Sequence, residues 1–541
     1  DKNVSYMCIL FLLFSIKTNN YICIKIVSND RGNAMKYLLG IDLGTSGTKT
    51  VLFNQEGSPV AAALEEYPLM QPRNGWAEQD PDNWWHAARK TILEVIGKSG
   101  INPADIAGIG ISGQMHGLVM LDSKGKVLRP AILWCDGRTS EECKEITGII
   151  GKQRLIEISA NPALTGFTAG KILWVRKHEP ELWARCAQVM LPKDYIRYKL
   201  TGVYATEVSD ASGTNLMDVA NRCWSGEILQ KLEIDKDLLP KMYESSDVAG
   251  IVTDEAAEAS GLAAGTIVVG GAGDNAAAAV GTGVVSAGRA FTTIGTSGVV
   301  FAHSDSVTID AHGRVHTFCS AVPGAWTVMS CTLAAGLSLK WFRDNFCGEE
   351  IQQAKMDHIA PYVFLDGAAE KVPIGSNRLI YLPYLMGERS PILDEHSRGV
   401  FFGLSAMHTK YDMLRAVMEG VAYSQRSCLD VLHEMNVYPE DMIVTGGGGS
   451  SALWRQILAD VFNCPVKTVS NKESPALGAA ILAGVGAGLY PSIQKACEAI
   501  IRTNPPQQPN REHGKKYNGF YEIYKALYPQ LKQSFSKLAA L

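Results

Sequence analysis

The four-residue word Gly-Thr-Ser-Gly occurs twice in this chain, at residues 44–47 and 295–298, each time between two runs of strand length. In the first copy Tyr37 to Ile41 is apolar and Thr48 to Phe53 is rich in β-branched residues, as half-buried strands are. In the second, Ala290 to Ile294 leads in and Val299 to Phe301 leads out, again ending in Phe. Glycines that accept positive φ close such hairpins tightly. A turn without bulky side chains lets backbone N–H groups and Thr and Ser hydroxyls point at one anion. Alone, either stretch reads as an ordinary glycine-rich hairpin with a capping Asp. Its recurrence with matching flanks predicts duplicated domains, each offering one phosphate-gripping hairpin to a shared cleft. Asp42, at the end of the first strand, is placed to hold a hydrated Mg²⁺, and Lys49 adds positive charge at the same mouth.

A chain of 541 residues has room for two or more full cores. Its net charge of −4 gives no reason to expect nucleic acid or an anionic membrane as partner. The 12 cysteines are scattered, without zinc-site spacing, and read as reduced thiols of a cytoplasmic protein. Met7 to Ile16 is apolar but falls short of the about 20 residues a membrane span takes, and no small-residue cleavage site follows it. With Met35-Lys36 looking like a natural start, residues 1–34 are expected to be a disordered extension outside the folded unit.

Further along, Asn54 to Gly57 turns the chain into a third strand, and Asp80-Pro81 marks a helix start, Asp as cap and Pro as first helical residue. Between them Gly75-Trp76-Ala77-Glu78-Gln79 is expected to be a loop with an exposed aromatic and a carboxylate. The strand Ile106–Ile111 ends in Gln114-Met115-His116-Gly117, a glycine-bracketed loop where α/β proteins hold small ligands. Taken alone, His116 would be a loop or core histidine. Ala131 to Trp134 leads to a second polar loop, Cys135-Asp136-Gly137-Arg138. Residues 141–200 read as helices broken at Asn161-Pro162, Glu179-Pro180 and Leu191-Pro192.

Thr266 to Gly271 is a strand that runs through Ala272-Gly273-Asp274-Asn275 into a small-residue helix. Asp274 is therefore either an N-cap or a carboxylate kept ionised by the helix end and free to act as a base. After the strand Met442–Thr445, the glycines 446–449 leave no Cβ above the turn, so a flat ring or a phosphate can approach. A helix is predicted over Ser450–Phe462, and another from Ser474-Pro475 through Ala483, packed closely under the cleft. Past the Pro-rich linker at 505–509, Tyr517, Tyr521, Tyr524, Tyr528, Leu531 and Phe535 line the core stripe of a final helix.

Two long patterns carry a resemblance: Gly166-Phe167-Thr168-Ala169-Gly170-Lys171-Ile172-Leu173-Trp174-Val175, and Gly399 to Leu404 continuing through Asp412-Met413 to Ala416-Val417-Met418-Glu419-Gly420. Together with the stretches above, from about Lys36 to the final helix, the chain resembles the FGGY carbohydrate kinases. Gln114-Met115-His116-Gly117 and Gly273-Asp274-Asn275-Ala276-Ala277 are similar to the branch acting on xylulose. Glycerol-phosphorylating members carry Gln-Arg-Glu and Asp-Gln there. Trp134 to Arg138 resembles that branch's Trp-Asn-Asp-Gly-Arg, with Cys135 a departure.

The resemblance implies an α/β fold of two actin-like ribonuclease-H-fold domains, with ATP, Mg²⁺ and the sugar in the cleft between them. The first domain would span 35–284 and the second 285–503, with 504–541 a linker and C-terminal helix. It implies ATP-dependent phosphorylation of xylulose, with another ketose, a polyol or gluconate as the alternative acceptor, and a homodimer as the assembly. In that scheme Asp274 is the catalytic base and Asp42 orients Mg²⁺. Gln114, Met115, His116, Asp274 and Asn275 hold the sugar. Gly44, Thr45, Ser46 and Lys49 grip phosphates from the first domain, Thr296 and Ser297 from the second, and Gly447, Gly448 and Ser451 lie by the adenosine. Actin and heat-shock chaperones carry the same hairpins; an ATPase scaffold of that kind would lack the 114–117 loop and the two long patterns.

Overall fold

A computed structural model describes residues 35–471 and 473–541; the expectation for residues 1–34 lies outside them. The first sheet contains β1 (Tyr37–Leu43), β2 (Gly47–Asn54), β3 (Pro59–Glu66), β4 (Ile106–Gly113), β5 (Val248–Ile251), β6 (Ile267–Val269) and β7 (Ala272–Gly273). They lie in the order β5-β6-β4-β1-β2-β3, with β7 also on β4. The second sheet contains β8 (Arg289–Ile294), β9 (Gly298–Ser304), β10 (His316–Cys319), β11 (Trp326–Thr332), β12 (Asp441–Thr445) and β13 (Val466–Lys467), ordered β10-β11-β9-β8-β12-β13.

The two sheets repeat one plan. A Gly-Thr-Ser-Gly hairpin, β1–β2 or β8–β9, is flanked on one side by an antiparallel strand, β3 or β11. On the other side lie parallel strands, β4 then β6, or β12 then β13.

The helices that matter below are α1 (Pro81–Ser99), α2 (Thr168–His178), α3 (Pro192–Thr201), α4 (Asp274–Thr282) and α5 (Gly336–Phe346). They continue with α6 (Pro361–Glu370), α7 (Lys410–Glu434), α8 (Ala452–Phe462), α9 (Ser474–Gly486) and α10 (Arg511–Ala539). Asp80 caps α1 as expected, accepting from Asp82 N at 3.0 Å. Along α10, Tyr517, Tyr521, Tyr524 and Phe535 are buried, and the hydroxyls find partners in the core. Tyr517 accepts from Arg415 at 2.7 Å, Tyr521 donates to Asp430 at 2.6 Å, and Tyr528 donates to Asp394 at 2.8 Å.

Helix α9 packs on the first sheet, although it follows the last strand of the second. Its Leu477, Ala480, Ile481 and Ala483 share a buried cluster with Leu38, Val51 and Phe53. The approach is close because the contact is paved with glycine. A Cβ on Gly40 or Gly110 would strike the carbonyls of Ala476 and Ala479, and one on Gly478 would strike that of Ala277 in α4. Lys36–Leu541 thus forms one compact unit.

Three local expectations need correction. Gln188–Met190, inside the stretch read as helical, is a strand paired with Val119–Leu121. Ser450 closes a 3₁₀ turn, and Ser451 is the N-cap of α8, its Oγ accepting from Trp454 N at 3.0 Å. Glu78, read as part of a loop, lies in the short strand Glu78–Gln79 and is buried with Arg129 and Arg138 paired to it, at 2.5 and 2.7 Å. Trp76 beside it is half-buried under the Arg138 guanidinium, 3.7 Å from the ring centroid. Among the described residues, no helix is long and apolar enough to cross a membrane, and all ten cysteines are free thiols.

Candidate active site

Parallel register assembles the centre of the site. β1 and β7 flank β4, with Asp42 and Ala272 both opposite Ser112. The carboxyl ends of three strands thus bring Asp42, Ser112 and Asp274 together, the place where open α/β sheets bind ligands. Ser112 Oγ donates to Asp42 at 3.0 Å. Asp274 is the first residue of α4 and its N-cap is Gly273. Its carboxylate accepts from Asn275 N at 2.7 Å and from Asn275 Nδ2 at 2.9 Å. That geometry corrects the N-cap alternative, since an N-cap side chain reaches two or three residues ahead.

The expected ionisation of Asp274 is also corrected. Burial first, and then the Asp42 carboxylate facing it, push its pKa up to about 7, against the lowering by Asn275. Burial and the neighbouring Glu473 likewise raise Asp42, opposed by Ser112 and Lys49. The helix end is outweighed because both carboxylates are half-buried and each disfavours the charge on the other. Such a pair invites a cation. Mg²⁺ needs only one or two carboxylates and takes the rest of its shell from water and phosphate. Among the described residues there is no cluster of three or more His, Cys, Asp or Glu around a common point.

The loop 114–117 stands beside this pair. Gln114 Nε2 donates to Gln79 Oε1 at 3.0 Å, and Met115 packs against Gly273, where a Cβ would come within 2.9 Å of its side chain. His116 has a left-handed backbone, φ 67°, uncommon for a residue with a Cβ. Lys171 Nζ and Thr168 Oγ1 hold its carbonyl, at 2.8 and 3.0 Å, and Lys171 also grips Gly166 O at 2.6 Å. The imidazole stacks on Phe167 at 4.5 Å, and Nδ1 lies 2.7 Å from Gly213 O. Burial, then the Lys171 charge, hold the ring neutral, with its pKa lowered to about 3. A neutral ring beside a carbonyl must keep its proton on Nδ1, so Nε2 is an acceptor.

The two turns differ in their ties. Thr45 is fastened toward the 114–117 side: its carbonyl accepts from Gln79 at 2.7 Å and its hydroxyl accepts from Trp134 Nε1 at 3.0 Å. Ser46 is exposed. Gly44 N closes the turn onto Gly47 O at 3.0 Å. Lys49 lies on Glu473 at 2.5 Å, so this cation starts out paired. In the second turn the Thr296 carbonyl accepts from Ala335 N and Leu337 N, both at 3.1 Å.

Beside that turn is a cavity of about 550 Å³, lined by Thr296, Gly447, Gly448 and Ser451 together with Leu337, Lys340, Tyr362, Val363 and Asp366. Gly446, at φ 78°, folds the glycine run against β8, where a Cβ would come within 2.7 Å of Ile294 O. Ser297 is not among the cavity's lining residues. Residues of α5 and α6 in this wall carry no sequence motif; only tertiary packing brings them here. Lys171, Phe167 and Gly213 were also unread as site residues. A lysine within an apolar helical stretch was the available sign for the first.

Residues 37–281 match the FGGY family of carbohydrate kinases, N-terminal domain, and residues 290–487 match its C-terminal domain. The chain is 39% identical to the xylulose kinase of Bacillus subtilis (strain 168), over 92% of this chain and 98% of that one. It is 39% identical to the xylulose kinase of Escherichia coli (strain K12), over 91% and 99%. The crystal structure of xylulose kinase from Rhodospirillum rubrum superposes with a TM-score of 0.86 at 30% identity, covering 93% of this chain and all of that one.

Proposed function

The chain belongs to the FGGY family of carbohydrate kinases, and from that premise we propose that its site phosphorylates D-xylulose with ATP, giving D-xylulose 5-phosphate. The carrying observation is the placement of Asp274 beside Asp42, with Met115 packed over Gly273 and His116 in the same loop. A neutral His116 offers Nε2 to a sugar hydroxyl, and Gln114 and Asn275 add amide groups at the same floor. The Asp274 carboxylate takes the proton of the attacking hydroxyl. The sugar oxygen then bonds to the γ-phosphorus as the bond to the β,γ-bridging oxygen breaks and ADP leaves. In such transfers positioning and charge neutralisation supply most of the rate.

Thr45, Ser46, Thr296 and Ser297 hold phosphates, and Lys49 joins them by leaving Glu473. Asp42, with Asp274 near it, would hold Mg²⁺, which when bound neutralises phosphate charge. The adenosine lies in the 550 Å³ cavity against Gly447 and Gly448. There Ser451 acts through the backbone it caps. Because the turns sit on separate sheets, closure between them excludes water at the reacting atoms.

A panel of ketoses, polyols and gluconate in a coupled ADP-release assay tests this reading. The highest kcat/KM is expected with D-xylulose. A higher value for another acceptor would reassign the substrate, and ATP turnover indifferent to every acceptor would favour an ATPase scaffold. His116→Ala is expected to raise the xylulose KM about 5- to 150-fold, the equivalent of about 1–3 kcal/mol for a polar partner left unpaired, with the ATP KM near wild type. Equal changes in both constants would take His116 out of sugar recognition.

A further inference from the structure

Arg389 carries a charge that the protein does not balance. Its backbone is fixed from both sides to the end of β11: Glu388 Oε1 accepts from Leu333 N at 2.8 Å, and Ser390 N donates to Cys331 O at 3.0 Å. Thr332, between those anchors, is paired with Gly298, the last residue of the Gly-Thr-Ser-Gly turn. Arg389 is half-buried, and among the described residues its guanidinium has no hydrogen-bond or ion-pair partner. Glu388 makes no ion pair with it. Oε1 is committed to the N–H groups of Leu333 and Arg389, and burial raises the carboxyl pKa to about 8. The guanidinium charge is felt at His116, His316 and Cys331, where it favours the neutral imidazole and opposes the raised thiol pKa. Burial remains the larger cause at each. The backbone around Arg389 thus adjoins the second phosphate turn through Thr332 and Gly298, and its charge reaches the sugar-side His116.

A ketose brings no charge to that place, and a half-buried cation without a partner awaits an anion. We propose that Arg389 is a catalytic residue that binds the phosphoryl group in flight, between the Thr296–Ser297 turn and the sugar hydroxyl beside His116. The inference rests on the sugar-kinase reading above. As the sugar oxygen bonds to phosphorus and the bridging oxygen departs with its electron pair on ADP, the proton goes to Asp274. Arg389 exchanges no proton. Its planar fork donates to the equatorial phosphoryl oxygens, a geometry that guanidinium matches and ammonium does not.

The test uses the full chain with Arg389→Met and Arg389→Lys, read by steady-state kinetics, a thermal melt and calorimetric titration of xylulose 5-phosphate. For the methionine variant kcat is expected to fall about 10²–10³-fold, as when a preorganised donor to a developing charge is removed. Both KM values should stay within about threefold, the melt should be unchanged, and product affinity should fall while sugar affinity holds. The lysine variant should recover only part of the rate. An unchanged kcat, or a rise in sugar KM alone, overturns the proposal. Should the methionine variant not fold, the lysine variant decides, and a wild-type kcat there overturns it equally. Wild-type turnover across the acceptor panel tests the kinase reading separately. If another sugar is preferred, the same ratios are measured on that sugar with its phosphate.

Discussion

Asp274→Asn is expected to lower kcat by about 10²–10⁴-fold, the usual cost of losing a general base, with the KM for ATP near wild type. Asparagine keeps the shape and one oxygen to accept from Asn275 N, so α4 should begin as before. Asp274→Ala should match its rate and lose little stability, because Gly273, not Asp274, occupies the cap. The pH profile gives a second readout. With the pKa raised to about 7 by burial and by Asp42, the base is protonated below neutrality, so kcat/KM should decline on the acid side of about 7, and the remaining activity of the asparagine variant should lack that limb.

Stability should move the other way. A carboxyl whose folded pKa lies above its unfolded value contributes stability that is complete below about pH 4, and that is lost as pH rises through about 7. Asp274→Asn should therefore melt at or above wild type at pH 8 without Mg²⁺, with the advantage vanishing near pH 4. An active asparagine variant would remove Asp274 from the chemistry.

Gly110→Val is expected to leave no stably folded protein, and Gly110→Ala to cost at least about 1–3 kcal/mol, as overpacking does. A single Cβ at this position strikes the Ala479 carbonyl of α9. Backbone on both sides cannot swing aside as a side chain would. Gly97 provides the control. It lies exposed in α1 with nothing within 4 Å of a built Cβ, so Gly97→Ala should stabilise by about 0.5–1 kcal/mol through helix propensity. Denaturant unfolding of the three variants is the measurement. A Gly110→Ala protein within about 0.5 kcal/mol of wild type would mean that α9 is displaced without cost, far below the usual overpacking penalty.

The features legible in the sequence were those written in short windows. The two hairpins, the cap at Asp80 and the strand-to-helix junction at Asp274 all depend on residues a few positions apart. The charge state of Asp274 was misjudged because its chief electrostatic neighbour, Asp42, is remote in sequence and adjacent only through the register of β1, β4 and β7. Thr45 was read as a phosphate ligand from its turn alone, yet its hydroxyl also meets Trp134 and Gln114. The second long pattern proved largely architectural: Asp412 completes the capping box of α7, accepting from Thr409 N at 2.7 Å, and Glu419 is buried on Arg415 and Ser376. Tyr362, Asp366 and Arg389 had no local signature. Their neighbours are assembled by the second sheet and the helices that return to it.

The placement of α9 also bears on how the chain can be made. β1 leaves the ribosome early, but the helix that covers Leu38 and Phe53 is synthesised only after the whole second sheet. Folding domain by domain during translation is thus closed to the first half, whose apolar face must wait for residues 474–486. Closing so long a loop slows folding, and until it closes the face of Leu38, Val51 and Phe53 lacks its cover. A fragment ending at residue 284, or any truncation before α9, should emerge as an aggregating chain rather than as a smaller protein.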